Sequence, residues 1–263
     1  NVISPYKIEV AMTTSGIRVL ERAMDVLDYL SSSGRPERVT TVAEHTGLSP
    51  ATTYRILSAL KDRSVVMQGT DSLYRIGPAV LSWSAAYQPK AILGKLFLQN
   101  VSELARISKE TIHLFSFEQN RVYYLNKIDS PQSVIMRSRI GSWGELYCTG
   151  GGRAVLGALP EEERRLYLEN TPLLPRTPKT ETDKGRLLKL LAQGNARGWQ
   201  EEVEENEQGI RCVGAPILDA SDYPIGAISV SAPSYRVDEA RSQFLGEAVR
   251  DTAKQISLAF KRA

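Results

Sequence analysis

The chain has 263 residues, a formal net charge of +3 and 42% hydrophobic residues, with only two cysteines and two histidines. Its length favours two domains, and its apolar content is sufficient for ordinary buried cores. The scarcity of cysteine and histidine argues against a disulfide framework and a multi-histidine metal site, so we expect no metal and no cofactor.

The chain has no pattern typical of a membrane protein. No apolar run reaches the roughly 18 residues of a membrane span, and the first residues lack the basic, apolar and small-residue layout of a signal peptide. We therefore expect a soluble cytoplasmic protein with no membrane partner. Residues 1–14 are interpreted as an N-terminal arm, with a conceivable native start at Met12.

Two short helical patterns meet at a turn that contains Gly47. Thr41, followed three residues later by Glu44, has the spacing of a capping box and predicts the start of the first helix. Gly47 permits the positive φ that a sharp turn needs. Ser49 is a good N-cap and Pro50 suits the first helical position, so the second helix is predicted to begin at Pro50. This arrangement is typical of a helix-turn-helix.

The flanking sequence extends this motif to a winged helix-turn-helix over residues 15–78. Apolar residues upstream repeat at helical spacing and predict a third helix: Leu20, Ala23, Met24, Leu27 and Leu30. Downstream, residues 65–68 and 73–76 are β-prone runs separated by a turn-forming tetrad. A hairpin directly after the second helix is the wing of such a domain.

Seven side chains of this unit are candidates for contact with DNA, because the second helix and the wing are predicted to direct them outward. They are Ser49, Thr52, Thr53, Tyr54, Arg55, Lys61 and Arg75. Residues 49–76 carry four cations against two aspartates, so two copies on one DNA site would double a modest basic footprint. The alternative is an ordinary helical hairpin whose polar face is only solvated.

Residues 79–90 are predicted to form a linker, and residues 91–263 a second domain of the α+β class with an antiparallel sheet. Residues 91–107 are predicted to form a connector helix, which either pairs with its copy in another subunit or packs on its own domain. Predicted strands cover residues 111–117, 121–128, 134–139, 210–218 and 224–232, and predicted helices cover residues 150–159, 160–168, 182–197 and 237–262.

Three segments of the second domain are richer in small and polar groups than packing requires. Gly150 and Gly151 begin a predicted helix, where backbone N–H groups can face an anion. Cys212 lies in an apolar strand, and Ser229 and Ser231 share one face of another strand. Together they predict a polar-tipped pocket for a small acid or carbonyl compound. The alternatives are close helix packing for the glycines, a small buried hydrophobe for the cysteine and satisfied interior or edge positions for the serines.

The chain resembles transcriptional regulators of the IclR family over nearly all of residues 15–262. The segments that carry the resemblance, in order, are IRVLERAMDVLDYL, LSPATTYRILSAL, LYCTGGGRAVLGALP, EENEQGIRCVGAPILD and AISVSAP. The resemblance implies a winged helix-turn-helix, a linker helix and a C-terminal GAF-like effector-binding and oligomerisation domain. It also implies a homo-oligomer, a dimer or a dimer of dimers, on double-stranded operator DNA.

The same resemblance implies a set of effector-binding residues. Matching the family pattern residue by residue points to Gly150, Gly151, Glu202, Cys212, Ser229 and Ser231, with Met136, Trp143 and Tyr147 as candidates for the apolar side. Tyr147 stands where many members have histidine, and Arg153 where lysine is usual. These departures mean that the identity of the effector cannot be transferred from other members.

We therefore expect a sequence-specific DNA-binding regulator, a repressor of a catabolic operon controlled by a small carboxylate or related metabolite, and not an enzyme. One alternative is a cysteine-dependent enzyme acting through Cys148 or Cys212. It lacks a placed base, because His45 falls in the helix-turn-helix and His113 in a predicted strand. A second alternative is a ligand-binding module without DNA binding. Effector action is expected as a population shift transmitted through residues 91–107.

Overall fold

The computed structural model describes residues 17–87, 91–134, 136 and 138–262. The predicted arm, residues 1–14, lies outside these ranges. Contacts divide the chain into two compact units, residues 1–88 and 89–263. Among the helices in the described ranges, none is long and apolar enough to cross a bilayer.

In its described residues, the N-terminal unit consists of three helices, a two-stranded hairpin and a further short helix. These are α1 (Arg18–Ser33), α2 (Val39–Thr46), α3 (Pro50–Lys61), β1 (Val66–Gln68), β2 (Tyr74–Ile76) and α4 (Ala79–Ala86). Val26 and Leu30 of α1 pack with Leu57 of α3 in a small apolar core. The stripe predicted on α1 is therefore partly wrong, because Leu20 and Met24 are exposed and Val26 is buried in their place.

Local capping residues determine the turn between α2 and α3. Gly47 adopts φ +69° and its N–H donates to the Ala43 carbonyl, which ends α2. Ser49 accepts a hydrogen bond from the Thr52 N–H at 3.2 Å and so caps α3, as predicted. The predicted capping box is wrong, because α2 begins at Val39 and Thr41 lies inside it.

The C-terminal unit is built on a six-stranded antiparallel sheet in the order β5-β4-β3-β8-β7-β6. Its strands are β3 (Thr111–Glu118), β4 (Arg121–Ile128), β5 (Trp143–Gly144), β6 (Gln200–Val203), β7 (Ile210–Leu218) and β8 (Pro224–Pro233). Its helices are α5 (Ala91–Asn100), α6 (Ser102–Ser108), α7 (Gly150–Ala158), α8 (Glu161–Asn170), α9 (Lys184–Arg197) and α10 (Glu239–Phe260).

Two sequence predictions for this unit need correction, and strands β5 and β6 are absent from the predicted set. The connector helix is two helices, interrupted at Val101, where the Asn100 side-chain amide donates to the Leu96 carbonyl at 2.7 Å. The strand predicted over residues 134–139 is absent from the described residues of that segment. Strand β6 was not predicted, since its sequence QEEV carries little β propensity.

The two faces of the large sheet have different chemistry. One face packs on α5, α6 and α10 and is apolar, with Ile112, Val213 and Val230 buried in that core. The helix over residues 91–100 thus packs on its own unit through Leu93 and Phe97. The other face packs on α7. Because successive side chains of a strand alternate between faces, the residues between these apolar ones point toward α7.

Candidate functional site

The outer face of α3 presents polar and cationic side chains to solvent. Tyr54 is 56% exposed, and Arg55 and Lys61 are also exposed. Thr52 and Arg55 border a groove of about 400 Å³ between α1 and α3. The α3 surface therefore offers one aromatic and two cationic side chains on a helix whose first turn is well capped.

Thr53 does not belong to this surface. Its side chain is 0% exposed, and its hydroxyl donates to the Ser49 carbonyl at 3.1 Å. The prediction that Thr53 contacts DNA is therefore wrong, because this residue faces the core of its own unit. Adjacent positions on a helix differ by about 100° in direction, so Thr53 can be buried although its neighbours Thr52 and Tyr54 are at least partly exposed.

The hairpin β1–β2 follows α3 as a wing. Val66 pairs with Ile76 and Gln68 with Tyr74. The Lys61 ammonium donates to the Gln68 side chain at 3.3 Å, which joins the end of α3 to the first wing strand. Arg75 is exposed on the second strand. The wing therefore adds a cation beside the α3 surface, as the sequence predicts.

The α7-facing side of the large sheet carries a row of polar residues that cross-strand pairing brings together. Glu202 pairs with Cys212 across β6 and β7, and Cys212 pairs with Ser231 across β7 and β8. Ser229 pairs with His113 across β8 and β3. Directly paired residues of antiparallel strands point to the same face. We call Glu202, Cys212, Ser229, Ser231 and His113 the polar cluster.

Hydrogen bonds connect most of the polar cluster. The Cys212 thiol donates to the Ser231 hydroxyl at 3.2 Å, and Ser231 Oγ lies 3.3 Å from His113 Nδ1. His113 Nε2 lies 2.7 Å from Ser138 Oγ. Burial, helped by the nearby Lys127 charge, lowers the pKa of His113 to about 3. The imidazole is therefore neutral near pH 7, with one ring nitrogen donating and the other accepting.

Sequence reasoning missed His113. It stands in the strand TIHLFSFE, where alternation places Thr111, His113 and Phe115 on one face. That local pattern was available, but it does not show which strand lies beside it. Only the pairing of β3 with β8 brings His113 next to the two serines.

The Ser229 hydroxyl is free of protein partners among the described residues. The residue is 1% exposed, yet none of the residues that the structure describes forms a hydrogen bond with it. A nearly buried hydroxyl that has no protein partner is available to a water molecule or a ligand. Ser229 is therefore the member of the polar cluster that most directly indicates a bound molecule.

Glu202 is almost fully buried, at 1% exposure. Its Oε1 accepts the N–H groups of Glu205 and Asn206, the latter at 3.0 Å. Burial raises the pKa of the Glu202 carboxyl to about 7, and the Glu205 charge adds to the rise, although both backbone bonds and Cys212 oppose it. This carboxyl therefore changes its charge near physiological pH.

A pH-dependent stability follows from Glu202. Its pKa of about 7 exceeds the ordinary 4.5, so between these values the folded chain holds the extra proton and the free energy of unfolding falls as pH rises. The change amounts to about 3 kcal/mol. We expect Glu202→Gln to gain about that much stability relative to the parent between pH 4.5 and pH 8. Urea unfolding at several pH values measures this gain, and parallel pH profiles would contradict it.

Neither cysteine is suited to act as a nucleophile. Burial raises the pKa of the Cys148 thiol to about 12. Burial and then the Glu202 charge raise the pKa of Cys212 well above the ordinary value. Both thiols are therefore protonated near neutral pH, whereas thiol chemistry requires the thiolate. Nowhere in the described ranges do three His, Cys, Asp or Glu side chains gather as a metal site.

Gly150 and Gly151 allow the start of α7 to lie directly on the polar cluster. A β-carbon at Gly150 would lie 2.8 Å from Cys212 Cβ, and one at Gly151 would lie 2.5 Å from the Phe115 ring. Close packing thus accounts for both glycines. The helix is capped by Thr149, whose hydroxyl accepts the Gly152 N–H at 3.0 Å. The positive end of the α7 dipole is therefore next to Cys212.

A buried ion pair joins α7 to the turn after β6, whose backbone N–H groups bind the Glu202 carboxyl. Arg153 donates to the Tyr147 carbonyl at 2.8 Å, the Glu201 carbonyl at 2.9 Å and Glu205 Oε2 at 2.6 Å. The same Glu205 oxygen accepts the Glu181 N–H at 2.8 Å. This network connects the helix, strand β6 and the turn after β6, and so determines where the Glu202 carboxyl lies.

The three predicted apolar residues have different surroundings in the structure. Trp143 pairs with Tyr123, which places it on the opposite face from Tyr124 and Phe115, so its assignment to the pocket is wrong. The Tyr147 hydroxyl donates to the Leu174 carbonyl at 2.8 Å, which makes Tyr147 a core residue beneath α7. Met136 is buried, and its carbonyl accepts a hydrogen bond from Lys127.

The sequence matches two family profiles. One is the bacterial transcriptional regulator IclR C-terminal domain, matched over residues 87–258. The other is the IclR helix-turn-helix domain, matched over residues 19–69. Between them the two profiles cover both compact units of the chain.

Two curated relatives from Escherichia coli strain K12 share 32% identity with the chain. The HTH-type transcriptional repressor AllR aligns over 245 residues, which is 93% of this chain and 90% of AllR. The HTH-type transcriptional regulator KdgR aligns over 221 residues, which is 83% of this chain and 84% of KdgR.

Two solved structures have the same fold. The Thermotoga maritima IclR structure superimposes with a TM-score of 0.80 at 27% identity, covering 93% of this chain and 99% of that chain. An IclR homologue from Microbacterium hydrocarbonoxydans, in complex with 4-hydroxybenzoate, superimposes with a TM-score of 0.74 at 20% identity. It covers 93% of this chain and 100% of that chain.

Proposed function

The chain belongs to the IclR family of bacterial transcriptional regulators, and we propose that it is a cytoplasmic repressor of a catabolic operon whose effector is a small carboxylate. That it is a DNA-binding regulator with an effector-binding domain, and not an enzyme, follows from the family and its relatives. The carboxylate rests on one observation, the unpartnered Ser229 hydroxyl in a polar cluster that lies at the positive end of α7.

The assignment of repressor and acid effector draws support from the relatives. AllR is a repressor that shares 32% identity over most of both chains. A structural neighbour holds 4-hydroxybenzoate, an aromatic carboxylate. The neutral His113, the serine hydroxyls and the start of α7 together supply donors for a carboxylate without a permanently charged partner.

The DNA-contacting residues that we propose are on α3 and the wing. They are Ser49, Thr52, Tyr54, Arg55, Lys61 and Arg75. Helices of this type enter the major groove, while flanking cations bind phosphates. A dimer, or a dimer of dimers, would place two copies on a pseudo-palindromic operator. The proposed effector residues are Gly150, Gly151, Glu202, Cys212, Ser229 and Ser231, and the geometry adds His113.

Replacing Arg55 with alanine tests the DNA-reading role of α3. Because each dimer loses two exposed guanidinium contacts, we expect operator affinity to fall by about tenfold or more, since a good base contact is worth about 1–3 kcal/mol. Mobility shift with the DNA upstream of its own gene measures the affinity. The matched control is Lys189→Ala, which removes one exposed cation from α9 in the other unit and leaves affinity unchanged.

A reporter gene behind the same DNA separates repression from activation. Expression rises in the Arg55→Ala strain if the protein is a repressor, and it falls if the protein is an activator. Unchanged operator affinity in Arg55→Ala would show that α3 does not read the DNA. If repression persisted in the presence of every effector bound by the second unit, control by effector would be disproved.

A further inference from the structure

This inference rests on the proposed acid effector and concerns the charge balance of its site. Neighbouring strands lie about 4.8 Å apart, and Glu202 and Cys212 are direct cross-strand partners. The start of α7 lies against Cys212. An acid bound at the start of α7 and at Ser229 therefore places a second carboxylate within about two strand spacings, roughly 10 Å, of Glu202.

The cations that the structure describes near this site each already contact other groups. The Arg153 guanidinium is 2% exposed and its three nitrogens are already bonded, one of them to Glu205. The Lys127 ammonium is paired with Asp129 at 2.7 Å and bonded to two backbone carbonyls. Arg176, near Tyr147 and Cys148, is half exposed and lies 3.6 Å from Glu145.

Among the residues that the structure describes, the titratable and charged groups around Glu202 also leave no unpaired positive charge. They are Cys212 on β7, Tyr124 on β4, Cys148 and Arg153 at α7, and Glu205 and Glu207 on the turn after β6, with the neutral His113 on β3, two strands beyond Cys212. Burial raises the pKa of the Tyr124 phenol, and the Cys212 and Glu202 charges raise it further. Two like charges in such a site favour holding one proton between them.

We propose that Glu202 takes up one proton from solvent when the acid effector binds, so that the effector enters as an anion and the site gains no net charge. Glu202 then donates a hydrogen bond that its ionised form cannot make. The affinity of the site for an acid therefore depends on the proton concentration. An uncharged ligand of the same shape requires no such uptake.

The proposal predicts a distinct pH dependence. Below pH 6, Glu202 is already protonated in the free protein, because its pKa is about 7, and the dissociation constant of an acid is insensitive to pH. Above pH 8 the proton must come from solvent, so the dissociation constant rises about tenfold per pH unit. Proton uptake on binding accordingly approaches one per site.

Calorimetry of the full chain tests this. Pyruvate, glyoxylate and 4-hydroxybenzoate are first compared by thermal shift, and the acid that binds most tightly is titrated between pH 6 and pH 9. HEPES and Tris at pH 8 differ in ionisation enthalpy, so the difference in observed binding enthalpy counts the protons taken up. We expect a count near one for the acid and near zero for 4-hydroxybenzamide, if it binds, as the uncharged comparison.

Two variants distinguish the effect of Glu202 on acid binding from the effect of other carboxylates. Glu202→Gln keeps the size and the polar character of the side chain but cannot titrate, so acid binding should become independent of pH and free of proton uptake. Glu247→Gln removes an exposed carboxylate from α10, which packs on the other face of the sheet, and should behave like the parent. Circular dichroism melting establishes that each variant is folded before titration.

The possible outcomes distinguish the role of Glu202 from the proposed effector class. Acid binding without proton uptake, or a pH dependence that survives in Glu202→Gln, overturns the role of Glu202 and leaves the proposed acid effector intact. Failure of all three acids to bind overturns the proposed effector class, and this inference with it. Acid binding with one proton, abolished only by Glu202→Gln, supports both.

Discussion

Replacing Arg153 with methionine is expected to lower the free energy of unfolding by about 3–5 kcal/mol, because it leaves a buried carboxylate without its partner. Glu205 is 7% exposed and receives one guanidinium nitrogen at 2.6 Å. The same substitution removes the hydrogen bonds to the Tyr147 and Glu201 carbonyls. Urea unfolding monitored by circular dichroism at pH 7 measures the loss.

Arg165→Met is the matched control for this prediction. Arg165 forms ion pairs with Glu162 and Glu169 on the exposed side of α8, where a surface pair contributes about 0–1 kcal/mol. The double variant Arg153→Met, Glu205→Gln should recover part of the loss, since no unpaired charge remains. A loss in Arg153→Met no larger than in Arg165→Met would show that the buried pair does not hold α7 to the turn.

Replacing Gly214 with alanine is expected to cost about 3 kcal/mol and to abolish the thermal shift caused by acids. The added β-carbon would lie 2.4 Å from the Gly150 carbonyl oxygen and 2.7 Å from its carbon. These are backbone atoms that no side-chain rotation can move, so α7 must retreat from β7. The start of α7 would then no longer lie against Cys212, and the proposed effector site would open.

Gly94→Ala provides the comparison for this substitution. A β-carbon at Gly94 meets no atom within 4 Å, and the residue is inside α5, so alanine should raise stability by up to about 1 kcal/mol. Thermal unfolding of both variants, with and without the bound acid, distinguishes a steric effect at β7 from a general effect of removing glycine. Parent-like acid binding in Gly214→Ala would show that the site does not depend on close contact between α7 and β7.

The helix-turn-helix could be predicted from sequence because its signals are local. The positive φ at Gly47 and the cap at Ser49 each involve residues within a few positions of each other. The error at Thr53 has the opposite origin. Whether a side chain near the edge of a helix faces out or in depends on which neighbouring helix covers it, and that is not a local property.

In the second unit, local sequence patterns account for only part of the structure. Alternation correctly predicted β3, β4, β7 and β8, whereas the segment over residues 134–139 has strand-like composition without strand pairing in its described residues. The family match predicts Trp143 on the apolar side of the pocket, but its pairing with Tyr123 places it on the other face of the sheet. Only the family resemblance points to Glu202 as a site residue. The sequence QEEV of β6 has little β propensity and does not predict a strand there.

The sequence by itself determined the cap at Ser49, the turn at Gly47, most strand positions and the family, since these depend on near neighbours or on motif order. Only the tertiary structure decided the register across β6, β7, β8 and β3, and with it the meeting of Glu202, Cys212, Ser231 and His113. The pairing of β3 with β8 is a non-local choice, because it joins residues more than a hundred positions apart, such as His113 and Ser229. The charge state of Glu202 follows from that choice, since burial by distant segments raises its pKa.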